Sequence, residues 1–338
     1  MFDKLNGARC LLMEAGLAPR QGNRFQPTGF ADIGAATYLR PDGKKMLLVD
    51  SAQSMANRLE RAITGPDGEI VPELVGLPYV RTRLKGLADV TTTSLIEAHR
   101  INSPWIMDDK KFKEKLLQEM GLKGQITSIN WQKVARTIFK YDVNSILHGA
   151  FLVSLDPRLK MPRALSAFIE AENVWEAVSG GTKFDHVDPT GKKIEPENRE
   201  KTDVLGNVPF QRVEYTAEAI TAYFNLDLGL LRSYDLGKEA FELLAALCLY
   251  KIRVFLEDGT RLRTACDLKL VGEPRVTEPA GLKIPDKQEL LRIVRDRIGA
   301  CKGMFASPPV TEISSKAVAP KKKGKGEEEE ESMNGDET

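Results

Sequence analysis

The alternation of apolar and polar positions first predicts a pair of strands followed by an amphipathic helix. Tyr38 and the apolar run 46–49 lie on either side of a turn at 41–43, a pattern typical of two paired strands. A helix follows, with Asp50 or Ser51 as its N-terminal cap. Three residues form its apolar face: Met55, Leu59 and Ala62. We therefore expect a strand–turn–strand–helix unit near the start of the chain.

Helical periodicity recurs along the rest of the chain. It predicts helices in five segments: 108–120, 131–140, 214–226, 238–248 and 287–298. Residues 91–99 fit either a strand or a short helix, and 65–68 form a Gly-Pro-Asp-Gly turn. Residues 69 to about 130 do not repeat the opening pattern, so we interpret them as an insertion.

Two further strand pairs are predicted from apolar runs that flank turn residues. Segments 146–155 and 164–171 would pair around an Asp-Pro turn, and 253–256 would pair with 262–270. Residues 180–209 are rich in Gly, Lys, Asp and Pro, which predicts a protruding hairpin or a mobile loop.

The order of these elements predicts the fold class. Without the insertions, the chain follows a βαββαβ plan, as in a ferredoxin-like, RNA-recognition-type sheet. Other α+β folds have compatible orders, so the pattern fixes the α+β class more firmly than the topology.

The composition is typical of a globular protein in a reducing compartment. The 338 residues could form one large domain or two modest ones. The longest apolar run, 243–250, is too short to cross a membrane, and the N-terminal sequence is not that of a signal peptide. The four cysteines are far apart and include no C-x-x-C pair: Cys10, Cys248, Cys266 and Cys301. We therefore expect reduced thiols in the cytoplasm, no disulfide framework and no metal site.

The charge balance does not by itself indicate a nucleic-acid-binding protein. The net charge is +1, and it is +3 without residues 316–338, whose blocks of like charge predict a disordered tail. If the protein binds RNA, it needs a local cationic groove together with many neutral donors.

Candidate binding residues cluster in a glycine-broken basic stretch and in the helix that follows it. Arginine offers forked donors for phosphate oxygens, Gln and Asn add neutral donors, and aromatic rings can stack on unpaired bases. A polar helix start can also hold a phosphate group. These candidates are Arg20, Gln21, Asn23, Arg24, Phe25, Gln26, Ser51, Gln53, Ser54, Asn57 and Arg58. A solvated loop and helix face would explain the same residues without RNA.

Five weaker candidates lie downstream: Arg100, Asn102, His148, Arg163 and Arg212. A surface salt bridge explains Arg163 or Arg212 equally well. For His148, placed in a predicted strand, a packed structural role is the first interpretation and an RNA contact the second.

The sequence contains no recognisable catalytic motif. It has no phosphate-binding G-x-x-x-x-G-K-[ST] loop, no G-x-S-x-G and no H-E-x-x-H. His186, flanked by Asp185 and Asp188, is more typical of a solvated turn than of an acid–base site.

Several long blocks of this sequence resemble one protein family. They are GNRFQPTGFADIGAATY, LLVDSAQSMANRLE, EAHRINSPWI, NSILHGAFLVSL, RALSAFIEAENV and VPFQRVEYTAEAITAYFNLDL. These blocks resemble the backbone subunit of the type I-G (formerly I-U) CRISPR surveillance complex, Cascade. This subunit belongs to the repeat-associated RNA-binding proteins that coat a guide RNA. The resemblance spans roughly residues 20–271.

The resemblance implies a hand-like subunit. Residues 1–315 would form one palm domain with a finger-like insertion at about 65–130 and a thumb hairpin at about 174–211. Residues 316–338 would form the disordered charged tail.

The resemblance also implies a non-catalytic RNA-binding protein without a cofactor. Copies would form a helical filament along the CRISPR guide RNA, and the guide would pair with target DNA in antiviral defence. Other implied partners are a fused RNA-processing and capping subunit, a large subunit and a helicase–nuclease.

Two alternatives remain open. A guide-processing endoribonuclease of the same wider superfamily would use His148 or His186 as its acid or base. A structural filament protein would bind no nucleic acid at all.

Overall fold

The computed structural model describes residues 1–30, 34–85, 90–124, 127–186, 189–190 and 206–316. Its helices are α1 (Phe2–Gly7), α2 (Ala52–Arg61), α3 (Pro104–Met107), α4 (Lys110–Glu119), α5 (Trp131–Tyr141), α6 (Val143–His148), α7 (Leu228–Ser233), α8 (Lys238–Asp258) and α9 (Lys287–Cys301). Its first seven strands are β1 (Cys10–Pro19), β2 (Gly29–Phe30), β3 (Gly34–Ala35), β4 (Thr37–Leu39), β5 (Lys45–Asp50), β6 (Tyr79–Lys85) and β7 (Thr91–Thr93). The others are β8 (Ala150–Leu152), β9 (Leu159–Met161), β10 (Leu165–Lys183), β11 (Val208–Asp227), β12 (Arg261–Arg263), β13 (Cys266–Glu278) and β14 (Val310–Lys316). The predicted α+β class is confirmed.

The contacts divide the chain into two compact units. The first unit consists of residues 1–62, 164–231 and 245–292, and the second contains 63–163, 232–244 and the chain from 293 onward. The predicted finger-like insertion, 65–130, falls within the second unit.

The first unit is built on an antiparallel seven-stranded sheet with the order β12-β13-β1-β11-β10-β5-β4. Within it, β1, α2, β10, β11, the part of α8 from residue 245 onward and β13 follow one another in βαββαβ order. The strands that make this order differ from those predicted. The strand β1 was not predicted, yet it lies between β11 and β13, while the predicted β4–β5 pair forms an edge.

The helix α2 forms as the sequence predicts. Ser51 is its N-cap, and its hydroxyl accepts a hydrogen bond from the Ser54 amide at 3.3 Å. Met55 and Leu59 are buried on its apolar face. This places the start of α2 directly after the buried strand β5 in the first unit.

The region predicted as paired strands around the Asp-Pro turn folds differently, and that prediction is wrong. Residues 143–148 form α6, because Asp142 caps the helix by accepting a hydrogen bond from the Ser145 amide at 3.1 Å. Gly149 ends it at φ 78°, in the left-handed region that suits glycine. His148 is therefore a buried helical residue and not a strand residue.

The predicted helix at 214–226 is also wrong, since these residues belong to β11. This strand pairs with β10 from Leu165↔Leu226 to Lys183↔Val208. Its buried residues recur with the period of a strand: Ile220, Ala222, Phe224 and Leu226. Three alanines and two glutamates in this segment fit a helix, but its Thr, Tyr, Ile and Phe residues and the pairing on both sides favour the strand.

The remaining predictions had mixed outcomes. Helices at 108–120, 131–140 and 287–298 are confirmed as α4, α5 and α9 with small changes in their bounds. The predicted strand at 253–256 is wrong, since these residues continue α8. The hairpin is formed instead by β12 with β13.

The predicted thumb and tail are described only in part. The two ends of the predicted thumb, 174–211, are the paired strands β10 and β11, whereas 187–188 and 191–205 lie outside the described residues, as does the tail from 317.

The second unit contains a three-stranded sheet in the order β14-β6-β7 and a β8–β9 hairpin. The strand β14 runs parallel to β6, from Val310↔Tyr79 to Lys316↔Lys85. Its end is held to the loop after α3, where Asp108 accepts hydrogen bonds from the Ser315 hydroxyl at 2.9 Å and the Lys316 amide at 3.0 Å. Among the described residues, no helix is long and apolar enough to cross a membrane.

Candidate functional site

The basic stretch after β1 is an exposed loop that is fixed at both ends; we call residues 20–26 the basic loop. At its start, the Arg20 amide donates to the Asp267 carbonyl at 2.8 Å. At its end, the Gln26 amide donates to the Ala265 carbonyl at 2.7 Å. Gln21, Asn23 and Arg24 are exposed between these anchors. Ala265 and Asp267 both lie at the turn between β12 and β13, so this turn lies beside the basic loop.

Four arginines line one surface cleft in the first unit: Arg20, Arg24, Arg212 and Arg261. Asp267, Glu214 and Thr264 also line it, and we call this surface the basic cleft. The sequence predicted Arg20, Arg24 and Arg212 as separate candidates, and the fold brings them together. Arg261 was not predicted, because nothing in its local sequence separates it from an ordinary surface arginine.

Two carboxylates organise the arginines of the basic cleft. Glu214, whose side chain is 6% exposed, binds Arg212 Nη2 at 2.7 Å and Arg24 Nη1 at 3.5 Å. Asp267 binds Arg20 Nε at 3.3 Å. Within the described part of the chain, Arg261 has no salt bridge. The four arginines and two carboxylates give the cleft a local charge of +2, which the weak overall charge conceals.

This arrangement suits an anionic ligand with several oxygen atoms. Arg24 is 57% exposed even though it contacts Glu214, so its other guanidinium donors face solvent. Guanidinium groups bind phosphate oxygens with two parallel hydrogen bonds, and the exposed amides of Gln21 and Asn23 add neutral donors beside them. Such a cleft would bind a sugar–phosphate backbone without reading its sequence.

The structure corrects the expectation that the aromatic ring of the basic loop stacks on a base. Phe25 is 1% exposed, because its backbone pairs with that of Tyr215 and its ring packs into the core. It therefore presents no face to a base. Exposed aromatic rings come instead from the long hairpin: Phe210 on β11 and Trp175 on β10. The guanidinium of Arg212 lies 5.9 Å from the centre of the Phe210 ring.

A buried ion-pair cluster lies behind the basic loop. Asp50 is 0% exposed and binds Arg58 Nε at 2.6 Å and Arg263 Nη2 at 2.9 Å. The Ser54 hydroxyl donates to the same carboxylate at 3.1 Å, and Arg58 Nη2 donates to the Leu262 carbonyl at 2.8 Å. We call Asp50, Arg58 and Arg263 the buried cluster.

The buried cluster corrects the placement of Arg58, which the helical periodicity put on the solvent face of α2. Its side chain is only 15% exposed. By contrast, Gln53 and Asn57 are exposed on α2 as expected, while Ser51 and Ser54 are half-buried and engaged in capping and in the buried cluster. Their contacts with RNA remain predictions.

The downstream candidates belong to the second unit, apart from Arg212. Asn102 is buried, and its side-chain oxygen accepts a hydrogen bond from the Ser154 amide at 3.2 Å. Arg100 Nη1 donates to the Gly149 carbonyl at 3.0 Å, and His148 is buried at the end of α6. Arg163 is half-buried. Burial of Asn102 corrects the expectation that it is accessible to RNA, whereas burial of His148 agrees with a packed structural role, its first interpretation.

The thiol next to the basic loop is not activated. Burial raises the pKa of Cys266 to about 11, although the charge of Arg263 acts in the opposite direction. The thiol therefore stays protonated near neutral pH and behaves as a packing group.

Comparison with solved structures gives weak likenesses to CRISPR proteins. A chain titled "CRISPR RNA-guided surveillance complex, pre-nicking" is 12% identical over 77% of this chain and 74% of its own, with a TM-score of 0.41. A chain titled "CRISPR RNA-guided surveillance complex" is 15% identical over 86% and 84%, with a TM-score of 0.35. Csc2 of Thermofilum pendens is 11% identical over 87% and 76%, with a TM-score of 0.30. At these TM-scores, we draw nothing from them about fold or function.

Of the two sequence comparisons, only the one with family models gives a match. No curated protein matches the chain. Residues 11–176, just under half of the chain, match the model of the family described as CRISPR-associated protein GSU0053, and this span includes the basic loop, α2 and the start of β10.

Proposed function

We propose that this protein is a non-catalytic guide-RNA-binding subunit of a CRISPR surveillance complex, of the type I-G backbone kind. The observation that carries the proposal is the basic cleft, where four arginines face two carboxylates in a protein of net charge +1. The matched family is described as CRISPR-associated, and its match contains the loop that supplies Arg20 and Arg24.

The cleft would hold the guide by its sugar–phosphate backbone and leave most bases free to pair with target DNA. Backbone contacts carry no sequence information, so one subunit can serve any spacer sequence. Several copies packed head to tail along the guide would make heterologous contacts, which give an open helical filament when the rotation does not close. The proposed partners are the guide RNA, further copies, the other subunits of the complex and a helicase–nuclease, all in the cytoplasm.

The proposal is tested with the double variant Arg24→Ala, Arg261→Ala in the full chain. Binding of two unrelated single-stranded guide RNAs is measured over a series of salt concentrations. Each phosphate contact contributes about −0.7 to the log–log slope of affinity against salt, so losing two should flatten the slope by about 1.4 for both RNAs. Arg58 is not used here because it is part of the buried cluster.

The matched control is the double variant Arg275→Ala, Arg292→Ala, which also removes two positive charges, here from exposed ion pairs with Glu14 and Glu289. We expect the control to keep the wild-type slope. If the double variant and the control behave alike, the basic cleft does not hold the backbone. If the double variant loses affinity for only one of the two RNAs, backbone recognition is wrong.

The endoribonuclease alternative makes a different prediction. His186 is exposed, whereas His148 is buried, so His186 is the more accessible acid or base. Purified protein is incubated with a repeat-containing RNA. Site-specific cleavage that is lost in His186→Ala or His148→Ala would replace the non-catalytic proposal. A low ratio of absorbance at 260 and 280 nm after purification with guide RNA would instead favour a filament protein without nucleic acid.

A further inference from the structure

We infer that Arg263 and Asp50 are positioning residues, which hold the basic loop and the start of α2 in the geometry that binds RNA. This inference rests on the proposed function. Neither residue lines the basic cleft, and their effect on RNA would be exerted through the backbone that they fix.

One guanidinium group joins the two RNA-facing segments. Arg263 Nη1 donates to the Gln26 carbonyl at 2.7 Å, at the end of the basic loop. The same nitrogen and Nη2 each donate to the Val49 carbonyl at 3.2 Å, at the end of the strand that leads into α2. Nη2 also binds Asp50 at 2.9 Å. The position of the loop and the position of the helix start are therefore set by the same rigid group.

Asp50 fixes the direction of that group. A fully buried carboxylate is costly unless its oxygens are paired, and here Arg263 takes one oxygen while Arg58 and Ser54 take the other. Arg58 extends the connection from α2 to the carbonyl of Leu262, next to Arg263 itself. The buried cluster thus closes a ring of contacts between the basic loop, α2 and β12.

The planar fork of arginine is what this position requires. A lysine would keep the positive charge beside Asp50, but a single ammonium group cannot reproduce the fixed fork that reaches Gln26, Val49 and Asp50 together. Arg263→Lys therefore separates the loss of positioning from the loss of charge.

The test compares Arg263→Lys with Arg253→Lys in the full chain. Arg253 is the matched control, because its guanidinium group also contacts a carboxylate and two carbonyls. These belong to Glu273, Ile284 and Pro285, away from the basic loop, and the side chain is 10% exposed. We measure the thermal midpoint of unfolding and the salt dependence of guide-RNA binding for both. Both variants are expected to lower the thermal midpoint, but only Arg263→Lys should flatten the salt slope, by about 0.7 to 1.4 for one or two lost phosphate contacts.

The outcomes separate this inference from the function on which it rests. Wild-type protein without salt-dependent RNA binding overturns both. Wild-type binding with equal slopes for the two lysine variants overturns the inference alone, because Arg263 is then only a stabilising residue. If Arg263→Lys does not fold, Asp50→Asn replaces it, since this change keeps the size of the side chain and removes the carboxylate that pairs with Arg263 and Arg58; an unchanged slope in that variant overturns the inference.

Discussion

Phe25 and Tyr215 exchange a pair of backbone hydrogen bonds, with N–O distances of 2.9 Å from the Phe25 amide and 2.8 Å from the Tyr215 amide. These bonds return the basic loop to β11 after it leaves the sheet at Pro19. The Phe25 ring is buried as a result, while the neighbouring Arg24 stays exposed and Arg212 on β11 is half-buried.

Phe25 should therefore matter for folding before it matters for RNA. Truncating a buried Phe to Ala costs about 3–5 kcal/mol, so we expect Phe25→Ala to lower the free energy of unfolding by that amount. Phe210→Ala, which truncates an exposed ring on β11, the strand with which Phe25 pairs, is the control and should change it little. Urea unfolding at equilibrium measures both. A Phe25→Ala protein of wild-type stability that binds RNA weakly would restore the base-stacking interpretation.

Asp142 should make stability depend on pH in the acidic range. Burial raises the pKa of this carboxyl to about 6, and hydrogen bonds from Ser145 oppose the shift. The folded state therefore holds the proton more tightly than the unfolded state, whose pKa is about 3.9. This contribution is present below pH 4 and is lost as the pH rises to 6.

Asp142→Asn removes that titration and still offers an oxygen to cap α6. Relative to wild type, the variant should gain about 1.4 kcal/mol for each pH unit between 4 and 6 and remain level above 6. Urea unfolding at pH 4, 5, 6 and 7 measures the difference. Parallel curves for the two proteins would show that Asp142 has no raised pKa.

Truncation after β14 and truncation before it should affect stability differently. A chain that ends at Lys316 keeps β14 and loses only the charged segment, which the sequence predicts to add nothing to the core. Its thermal stability and RNA binding should equal those of the full chain. A large loss of either would show that the lysines hold RNA or that the acidic residues contact another subunit.

A chain that ends at residue 309 also loses the seven residues of β14. The backbone hydrogen bonds to β6 and the contacts of Ser315 and Lys316 with Asp108 are then lost, and each hydrogen bond contributes about 0.5–1.5 kcal/mol net. We expect a fall of a few kcal/mol in the free energy of unfolding. Equal stability of the two truncated chains would show that β14 adds nothing to the sheet it extends.

The connection between β10 and β11 should be dispensable for folding but not for RNA binding. The ladder extends to Lys183↔Val208, so replacing residues 184–207 with a short Gly-Ser linker keeps every cross-strand pair. We expect a folded monomer with lower RNA affinity or cooperativity and an altered periodic protection of the guide from nuclease.

A Gly-Ser linker of the original length separates the effect of the sequence of this connection from the effect of its length. If it restores the nuclease footprint, only the length of the connection matters. An unfolded deletion protein would place this segment in the core, and an unchanged footprint in both variants would show that it is not a thumb.

The sequence predicted those elements whose signal is local. Helix α2 and the strand pair before it are fixed by a cap, a turn and a regular apolar period within about twenty-five residues. The strand β11 has a period of two at Ile220, Ala222, Phe224 and Leu226, but its alanines and glutamates also fit a helix, and pairing with β1 and β10 decides between the two.

The same limit applies to the site. The exposed residues of the basic loop were predicted from their types and spacing. The burial of Phe25, the hydrogen bond from Arg58 to the Leu262 carbonyl and the presence of Arg261 in the cleft depend on segments roughly two hundred residues away. Burial by a distant partner leaves no trace in the local pattern, so the loop could be predicted and the cleft could not.

The central position of β1 determines when the protein can fold during its synthesis. This strand leaves the ribosome before both of its neighbours, which pair with it through residues as late as Asp227 and Glu278. Until those residues emerge, the apolar side of β1 has no partner, and closing such long loops is slow. We therefore expect the nascent chain to remain without its main sheet for most of translation and to depend on chaperones that cover exposed strands.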